Sequence, residues 1–385
     1  MEKKLKYYDL MEDLRGQILS GEIKPGEKLL SENELSTAYQ VSRQTVRKAL
    51  QILQNEGYIY AEHGRGTFCS EMMRHTKKSR NIAVVTTYLS DYIFPRVIAG
   101  IDEVLTENGY SILLKNTRNS RKLEAKCLEE LLQKDIDGLI IEPSKSQIFC
   151  RHMNLYERLD EYRIPYVFIQ GSYAQMRGKP HILLDDCKGG YLVTRYLLTL
   201  GHKNIVGVFK ADDTQGQQRH KGYVRALQEW GIAYDPDKVV WFYTEDRKTH
   251  PYEKMRQMAA ERETCFFDAV VAYNDQIAFE IIRALNDEGL AVPEDVSVTG
   301  YDNSYLASTG KVPLTTIAHP QEKLGAMAAE LLLCIIREGK ISGDGMRLGD
   351  GRLPGEEVPM TEEGQILIEP ELVIRESCIS RSKIE

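Results

Sequence analysis

From Ile82 to the end of the chain, short apolar runs alternate with amphipathic stretches, and this alternation restricts the fold more than any other feature. Ile82–Thr86, Ser111–Lys115, Gly138–Glu142, Tyr166–Ile169, Ile205–Phe209, Ala269–Tyr273 and Ser297–Tyr301 have the length and apolar content of strands. Pro95–Asn108, Gly190–Leu200, Gln276–Glu288 and Gln321–Glu338 have helical spacing, with Val97, Ile98, Ile101, Val104 and Leu105 on the inward face of the first. Strands that are apolar throughout need cover on both faces, which means parallel sheets flanked by helices. About 300 residues of this pattern exceed one ordinary core, so two doubly wound lobes are expected. Ligands in such sheets sit beyond the carboxyl ends of the strands, and a cleft between two lobes is the natural site.

The residues at those strand ends are therefore the candidates. The first strand runs into Asp91, Tyr92 and Phe94, and Gly138–Glu142 ends on Glu142 before Pro143. Ile205–Phe209 leads to Asp212, Asp213 and Gln215 and on to Arg219; Ala269–Tyr273 leads to Asn274 and Asp275. Carboxylates, amides, an arginine and aromatic rings around one cleft suit a sugar. Its hydroxyls bond Asp and Arg, and its apolar ring face packs on an aromatic. On position alone, Asp275 also fits a helix cap, Phe94 the core, Arg219 a surface, and Glu142 an exposed turn.

The first 70 residues have a different pattern. In Val41–Leu50 and onward, Val46, Ala49, Leu50 and Leu53 form an apolar face, while Arg43, Gln44, Arg47, Lys48 and Gln51 form the opposite one. Ser42 is placed to cap this helix, and the charged and amide side chains suit base edges and phosphates in a major groove. A shorter helix precedes it, with Ser31 and Glu34 spaced as a capping box. The short turn Tyr39–Val41 brings the two together as a helix-turn-helix. An earlier helix carries Tyr7, Met11, Leu14 and Ile18 on one stripe. Tyr58–Ala61 and Thr67–Cys69 are expected as two strands joined at His63-Gly64-Arg65-Gly66, a wing whose glycines allow close backbone approach to DNA.

Charge supports this division. The chain carries a net −7, but residues 1–80 hold 14 Lys/Arg against 11 Asp/Glu, and the remainder 36 against 46. Positive charge is concentrated where counterion release would supply DNA affinity. No run approaches the roughly 18 apolar residues of a membrane span. The start, Glu2-Lys3-Lys4, lacks the apolar core of a signal peptide. Seven scattered cysteines without CxxC spacing are expected as reduced thiols in the cytoplasm, not as a metal site.

Five motifs in order resemble the winged helix-turn-helix of the GntR family of bacterial regulators: Ile-Lys-Pro-Gly-Glu-Lys-Leu (23–29), Ser-Glu-Asn-Glu-Leu (31–35), Val-Ser-Arg-Gln-Thr-Val-Arg-Lys-Ala-Leu (41–50), Glu-Gly-Tyr (56–58) and Gly-Arg-Gly-Thr-Phe (64–68). The chain departs from that family at Leu30, usually proline, and at Asn33, often arginine, which removes one DNA contact. The resemblance implies that Arg43, Gln44, Thr45 and Arg47 read bases, and that Ser31, Lys48, Arg65 and Gly66 hold the backbone. Glu32, Ser42 and Gly64 complete the expected contact set.

Further on, Asp-Gly-Leu-Ile-Ile (137–141), Asp-Asp-Cys-Lys-Gly-Gly (185–190), Leu-Gly-His-Lys-Asn-Ile (200–205), Arg-His-Lys-Gly-Tyr (219–223), Tyr-Asn-Asp-Gln-Ile-Ala (273–278), Val-Pro-Glu-Asp-Val-Ser-Val-Thr-Gly-Tyr-Asp-Asn (292–303) and Leu-Thr-Thr-Ile (314–317) resemble the effector domain of the LacI/GalR family, itself similar to periplasmic sugar-binding proteins. That resemblance implies that Arg219 and Asp275 hold the effector and that Phe94 supplies a stacking ring. Asp91, Tyr92, Glu142 and Gln215 are the further candidates. The LacI/GalR reader and hinge helix are absent, so their minor-groove mechanism is not expected.

The fusion of the two parts resembles the arabinose repressors, and Thr-Thr-Tyr-Leu-Ser-Asp-Tyr-Ile-Phe-Pro (86–95), Glu-Pro-Ser-Lys-Ser (142–146), Phe-Lys-Ala-Asp-Asp-Thr-Gln-Gly (209–216) and Ile-Glu-Pro-Glu-Leu-Val-Ile-Arg (368–375) agree. The expected organisation is a winged helix-turn-helix at 1–70, a linker at 71–80, and a two-lobed sugar-binding and dimerisation domain at 81–385, with an extra loop at 341–364. The resemblance implies a cytoplasmic homodimeric repressor, bound to double-stranded operator DNA and released by L-arabinose, with no cofactor and no enzymatic activity. Another pentose or a sugar phosphate is the alternative effector. A transport component fits the cleft, but neither the attached reader nor the start of the chain. An enzyme would need a phosphate loop, which Gly64-Arg65-Gly66-Thr67 lacks, or a nucleophile triad, which does not stand out. A cleft carboxylate pair leaves acid–base chemistry open, and turnover of arabinose would decide it.

Overall fold

The computed structural model describes residues 6–19, 22–62, 64–70, 79–89, 93–176, 178–261, 266–338 and 364–381. The chain divides into two compact units, Met1–Ser79 and Arg80–Glu385. Residues 71–78 of the expected linker, and all of the expected 341–364 loop except Gly364, lie outside the described residues.

The first unit runs α1 (Lys6–Leu19), α2 (Glu32–Ala38), α3 (Arg43–Asn55), β1 (Ile59–Glu62) and β2 (Gly66–Cys69). Leu10, Met11, Leu14 and Ile18 of α1 meet Leu35 of α2 and Val46, Ala49, Leu50 and Leu53 of α3 in one core, while Tyr7 is only partly buried against it. Both expected caps form. The Ser31 Oγ accepts from the Glu34 amide at 3.3 Å while the Glu34 carboxylate accepts from the Ser31 amide at 2.7 Å. The Ser42 Oγ accepts from the Thr45 amide at 3.2 Å. β1 and β2 pair antiparallel, Ile59 opposite Cys69. The segment before α2 edges this wing: the Leu29 amide donates to Thr67 O at 2.8 Å and the Cys69 amide to Glu27 O at 2.8 Å. The 23–29 motif is thus a third edge of the wing, a role its spacing alone did not reveal.

The second unit continues β3 (Asn81–Thr86), α4 (Phe94–Glu107), β4 (Ser111–Asn116), α5 (Arg121–Leu132), β5 (Gly138–Ile141), α6 (Met153–Glu161), β6 (Tyr166–Ile169), β7 (His181–Leu184) and α7 (Asp186–Thr199). Then follow β8 (Ile205–Lys210), α8 (Thr214–Glu229), β9 (Val239–Phe242), α9 (His250–Ala260), β10 (Ala269–Ala272), α10 (Asp275–Asp287), β11 (Ser297–Thr299), α11 (Tyr305–Thr309), β12 (Thr316–Ala318), α12 (Gln321–Glu338), β13 (Gln365–Ile368) and β14 (Glu371–Val373). Two parallel sheets form, in the orders β13-β7-β6-β5-β3-β4 and β11-β10-β8-β9, and an antiparallel pair β12-β14 stands apart. These are the two expected lobes. Their inner strands are buried along their length, as at β5, β6 and β10, because helices cover both faces.

Glycines set the tightest helix contacts. A Cβ at Gly222 of α8 would stand 2.0 Å from Cys187 O of α7, and one at Gly190 would stand 2.2 Å from Arg219 O. Backbone therefore lies on backbone where α7 crosses α8, which explains the Gly-Gly and Lys-Gly-Tyr motifs physically.

Candidate DNA interface and effector cleft

On the reading helix, Arg43, Gln44, Arg47 and Lys48 are exposed and Thr45 is half-buried. Arg43 and Gln44 have no partner among the described residues, which leaves their donors and acceptors available. Arg47 is held by Glu32 of α2, its Nε 2.8 and 3.0 Å from the two carboxylate oxygens. Lys48 places its Nζ 4.0 Å above the Tyr7 ring centroid. At the wing tip Gly64, Arg65 and Gly66 are all exposed, and Gly64 and Gly66 take φ of 76° and 123°, which favour glycine. Arg65 pairs with Glu62 at 2.5 Å. Ser31 and Ser42 spend their hydroxyls on caps. His63 lies outside the described residues. Helix α3 and the wing tip thus each present exposed basic side chains.

In the second unit a cleft of about 800 Å³, open mouth included, lies where strands of the two sheets end. Of the candidates, Phe94, Glu142, Gln215 and Arg219 line it; Asp91 and Tyr92 lie outside the described residues. Phe94 is the first residue of α4 and 3% exposed, so it belongs to core and cleft together. Glu142 follows β5, and its Oε2 accepts from the Thr87 amide at 2.8 Å and the Thr87 hydroxyl at 2.5 Å. Burial pushes the Glu142 carboxyl up to about 7 despite these donors. Arg219 is buried in α8. Its Nε donates to Asp186 at 2.8 Å, its Nη1 to Tyr273 O at 2.6 Å, and its guanidinium carbon lies 3.5 Å from the Tyr301 ring centroid. Burial raises Asp186 to about 6 against the pull of that arginine.

Asp275 departs from the expectation. It does not line the cleft; its neighbours Asn274, Gln276 and Ile277 do. Asn274 is the cap of α10, accepting from the Ile277 amide at 3.0 Å. Asp275 turns behind it, fully buried, accepting from Thr316 Oγ1 at 2.7 Å and the Ser304 amide at 2.7 Å. Both oxygens are engaged by protein donors, which is the physical reason the carboxylate faces inward. Burial, with Asp302 nearby, raises it to about 7.

Several cleft residues were not among the sequence candidates. Lys210, the last residue of β8, donates to Asp213 at 2.9 Å and lies 3.5 Å from Asp212. Burial lowers its ammonium, and the two carboxylates more than reverse this. The Tyr273 hydroxyl also donates to Asp213, at 2.7 Å. Gln170 and Asp302 line the cleft in left-handed backbone, φ 64° and 96°. Such strain is concentrated at functional sites. The Gln170 Nε2 and the Gln215 Oε1 are buried without a hydrogen-bond partner among the described residues. A lysine closing a strand that otherwise faces the core was the available signal for Lys210. Asp302 stood in the 292–303 motif without being singled out as a candidate, and nothing local marked Gln170.

Residues 6–69 match the model of bacterial regulatory proteins of the gntR family, and residues 194–378 match that of the periplasmic binding protein-like domain. A LacI family transcriptional regulator from Enterococcus faecalis V583, solved with bound ribose, is 28% identical, with a TM-score of 0.60 over 78% of this chain and 99% of that one. Fold and sites therefore define a DNA-binding transcriptional regulator with a periplasmic-binding-like sensor. The arabinose metabolism transcriptional repressor of Halalkalibacterium halodurans is 40% identical, over 97% of this chain and 96% of that protein. That of Geobacillus stearothermophilus is 37% identical, over 97% of each. The chain belongs to the family of arabinose metabolism transcriptional repressors.

Proposed function

We propose that this repressor binds a palindromic operator as a homodimer in the cytoplasm and is released from it by L-arabinose seated in the cleft. α3 and the wing would read and hold each half-site. The sugar releases DNA only by binding the released state better than the bound one. Arg219, Glu142, Lys210 and Gln215 would bond its hydroxyls, with Phe94 against its apolar face.

The observation that carries the effector's chemistry is charge compensation. Lys210 is matched by Asp212 and Asp213, and Arg219 by Asp186, so neither buried cation needs an anionic ligand. The Gln170 donor and the Gln215 acceptor ask for neutral hydroxyls. This favours a free sugar over a sugar phosphate. The solved relative with bound ribose keeps other pentoses as the comparison.

The test is selection of a binding site from a DNA library by the purified full chain, followed by release with L-arabinose, ribose, xylose, galactose or arabinose 5-phosphate. A palindromic site released by L-arabinose alone supports the proposal. A site that persists in L-arabinose keeps the reader and discards the effector. Turnover of arabinose would contradict the non-enzymatic role.

A further inference from the structure

A second buried polar cluster lies outside the cleft. Glu124, in the first turn of α5, is wholly buried, and donors converge on its carboxylate from the described residues around it. The Ser144 amide donates at 2.5 Å, the Tyr156 hydroxyl at 2.7 Å, the Tyr173 hydroxyl at 3.0 Å, and His152 Nε2 lies 2.8 Å away. Burial lowers the His152 imidazole, but its bonds to Cys150 and Glu124 reverse this and push it up to about 9. The cluster lies beneath the strand-end loop that follows Glu142.

That loop is also the bridge to the other lobe. Ser146 Oγ accepts from the Thr214 amide and contacts the Thr214 hydroxyl, each at 2.9 Å, at the start of α8. Lys145 reaches Asp212 at 3.4 Å and also pairs with Glu245. Its backbone is left-handed, φ 51°, and its amide is held by Asn119 Oδ1 at 2.7 Å. Asn119 spans the lobes as well, donating to Thr244 at 2.7 Å. α8 carries Gln215 and Arg219 into the cleft. Glu124 thus sits at the fixed end of a chain that runs Glu124, Ser144, Ser146, Thr214 and then the cleft side of α8.

We propose that Glu124 is a positioning residue of the effector response: by anchoring the Ser144 amide it holds Lys145 and Ser146 where they join the opposite lobe, and so sets the sugar concentration at which the repressor lets go of DNA. This rests on the cleft being the effector site. Glu124 itself does not line the cleft. A glutamine there has the same size, but its NH₂ must face either the Ser144 amide or the His152 imidazolium, each a donor only, so one of them loses its acceptor.

The test uses the full chain and two readouts. Hydrogen exchange followed on the peptide spanning Ser144 and Lys145, without sugar, reads the anchor and needs no knowledge of the effector. Operator release titrated with L-arabinose reads the coupling. Glu124→Gln is expected to speed exchange in that peptide by about tenfold and to shift half-release by a similar factor, the size of one lost buried charge-assisted hydrogen bond. Sugar-free operator affinity should stay unchanged. Tyr173→Phe, which removes the hydroxyl shared between the Glu124 carboxylate and Ser144 O and conserves shape, should give a smaller shift in the same direction, and it stands in if the glutamine variant does not fold. Unchanged exchange in a folded Glu124→Gln, or wild-type release by both variants, overturns the proposal. If wild-type protein ignores L-arabinose, the effector reading fails, while the exchange result still tests the anchor.

Discussion

Glu32 grips Arg47 across the two helices of the reader, both carboxylate oxygens within 3.0 Å of the guanidinium Nε. The pair is exposed, and exposed pairs contribute roughly 0–1 kcal/mol. Its value lies in holding a flexible side chain in place on the exposed face of α3. Arg47→Ala should therefore cost about 1–3 kcal/mol on the selected operator and much less on scrambled DNA. Glu32→Ala should cost less, and nothing further once Arg47 is gone. Fluorescence anisotropy on both DNAs measures it, and equal loss on the two would remove Arg47 from the base-reading set.

Lys48 of α3 sits over the Tyr7 ring of α1. A point charge of this kind suits a phosphate, whose contact carries no sequence information. Lys48→Ala should weaken all DNA alike and lower the slope of log K against log salt by about 1. A change confined to the selected operator would assign Lys48 a base instead.

What was legible in the sequence was what local chemistry decides. Ser31 with Glu34, Ser42 with Thr45, and the Val46–Leu53 stripe are contained within one or two helical turns, so their spacing predicted the reader. The long apolar strands were equally plain. His181–Leu184, Val239–Phe242 and Gln365–Ile368 were not, because each carries positions that are only partly buried or exposed and so lacks the continuously buried run of β5, β6 and β10. The cleft divides the same way. Arg219 and Glu142 stood at strand or helix ends that the alternation located. Gln170 and Asp302 enter only because turns in left-handed backbone aim them inward. Asn274-Asp275 offered two acidic or amide side chains in succession, and only the packed structure shows that the first caps α10 while the second bonds Thr316 and Ser304.

Asp275 carries a stability prediction. Its folded value of about 7 lies above the ordinary 3.8, so the folded chain binds this proton more tightly than the unfolded one. The cost of ionising it is absent below about 3.8, grows through the window up to about 7, and is fully present above. Asp275→Asn can keep both bonds, its oxygen accepting from Ser304 and its amide donating to the Thr316 hydroxyl. The second unit's melting temperature should then fall less between these limits than in wild type. Parallel profiles for the two proteins would refute the assignment.

Glu142 places the same linkage in the cleft. Its carboxyl is raised from 4.5 to about 7, and a sugar hydroxyl donating to it would favour the ionised form. Sugar binding should therefore release a proton in the window between these values and tighten as pH rises through it. Calorimetry in buffers of different ionisation enthalpy reads the released proton directly. Glu142→Gln should abolish that release and lower affinity at pH 8. Proton uptake on binding would have the sign wrong and place the sugar away from Glu142.

Gly222 links helix packing to the cleft. Its absent side chain lets α8 lie on α7, where a Cβ would meet Cys187 O at 2.0 Å and the Tyr191 amide nitrogen at 2.5 Å. Those contacts are backbone and cannot rotate away. Gly222→Ala must separate the helices, at about 1–3 kcal/mol for overpacking of this kind. Arg219 lies one turn earlier on α8 and would move with it, away from Asp186 and Tyr273 O. The variant should melt lower and bind sugar more weakly, with operator affinity retained. Gly16 is the contrast: it is exposed in α1, and a Cβ there would meet nothing within 4 Å, so Gly16→Ala should stabilise the first unit by about 0.5–1 kcal/mol. Calorimetric melting of both variants decides it, since a Gly222→Ala protein as stable and as sugar-sensitive as wild type would mean that the α7–α8 contact does not hold Arg219 in place.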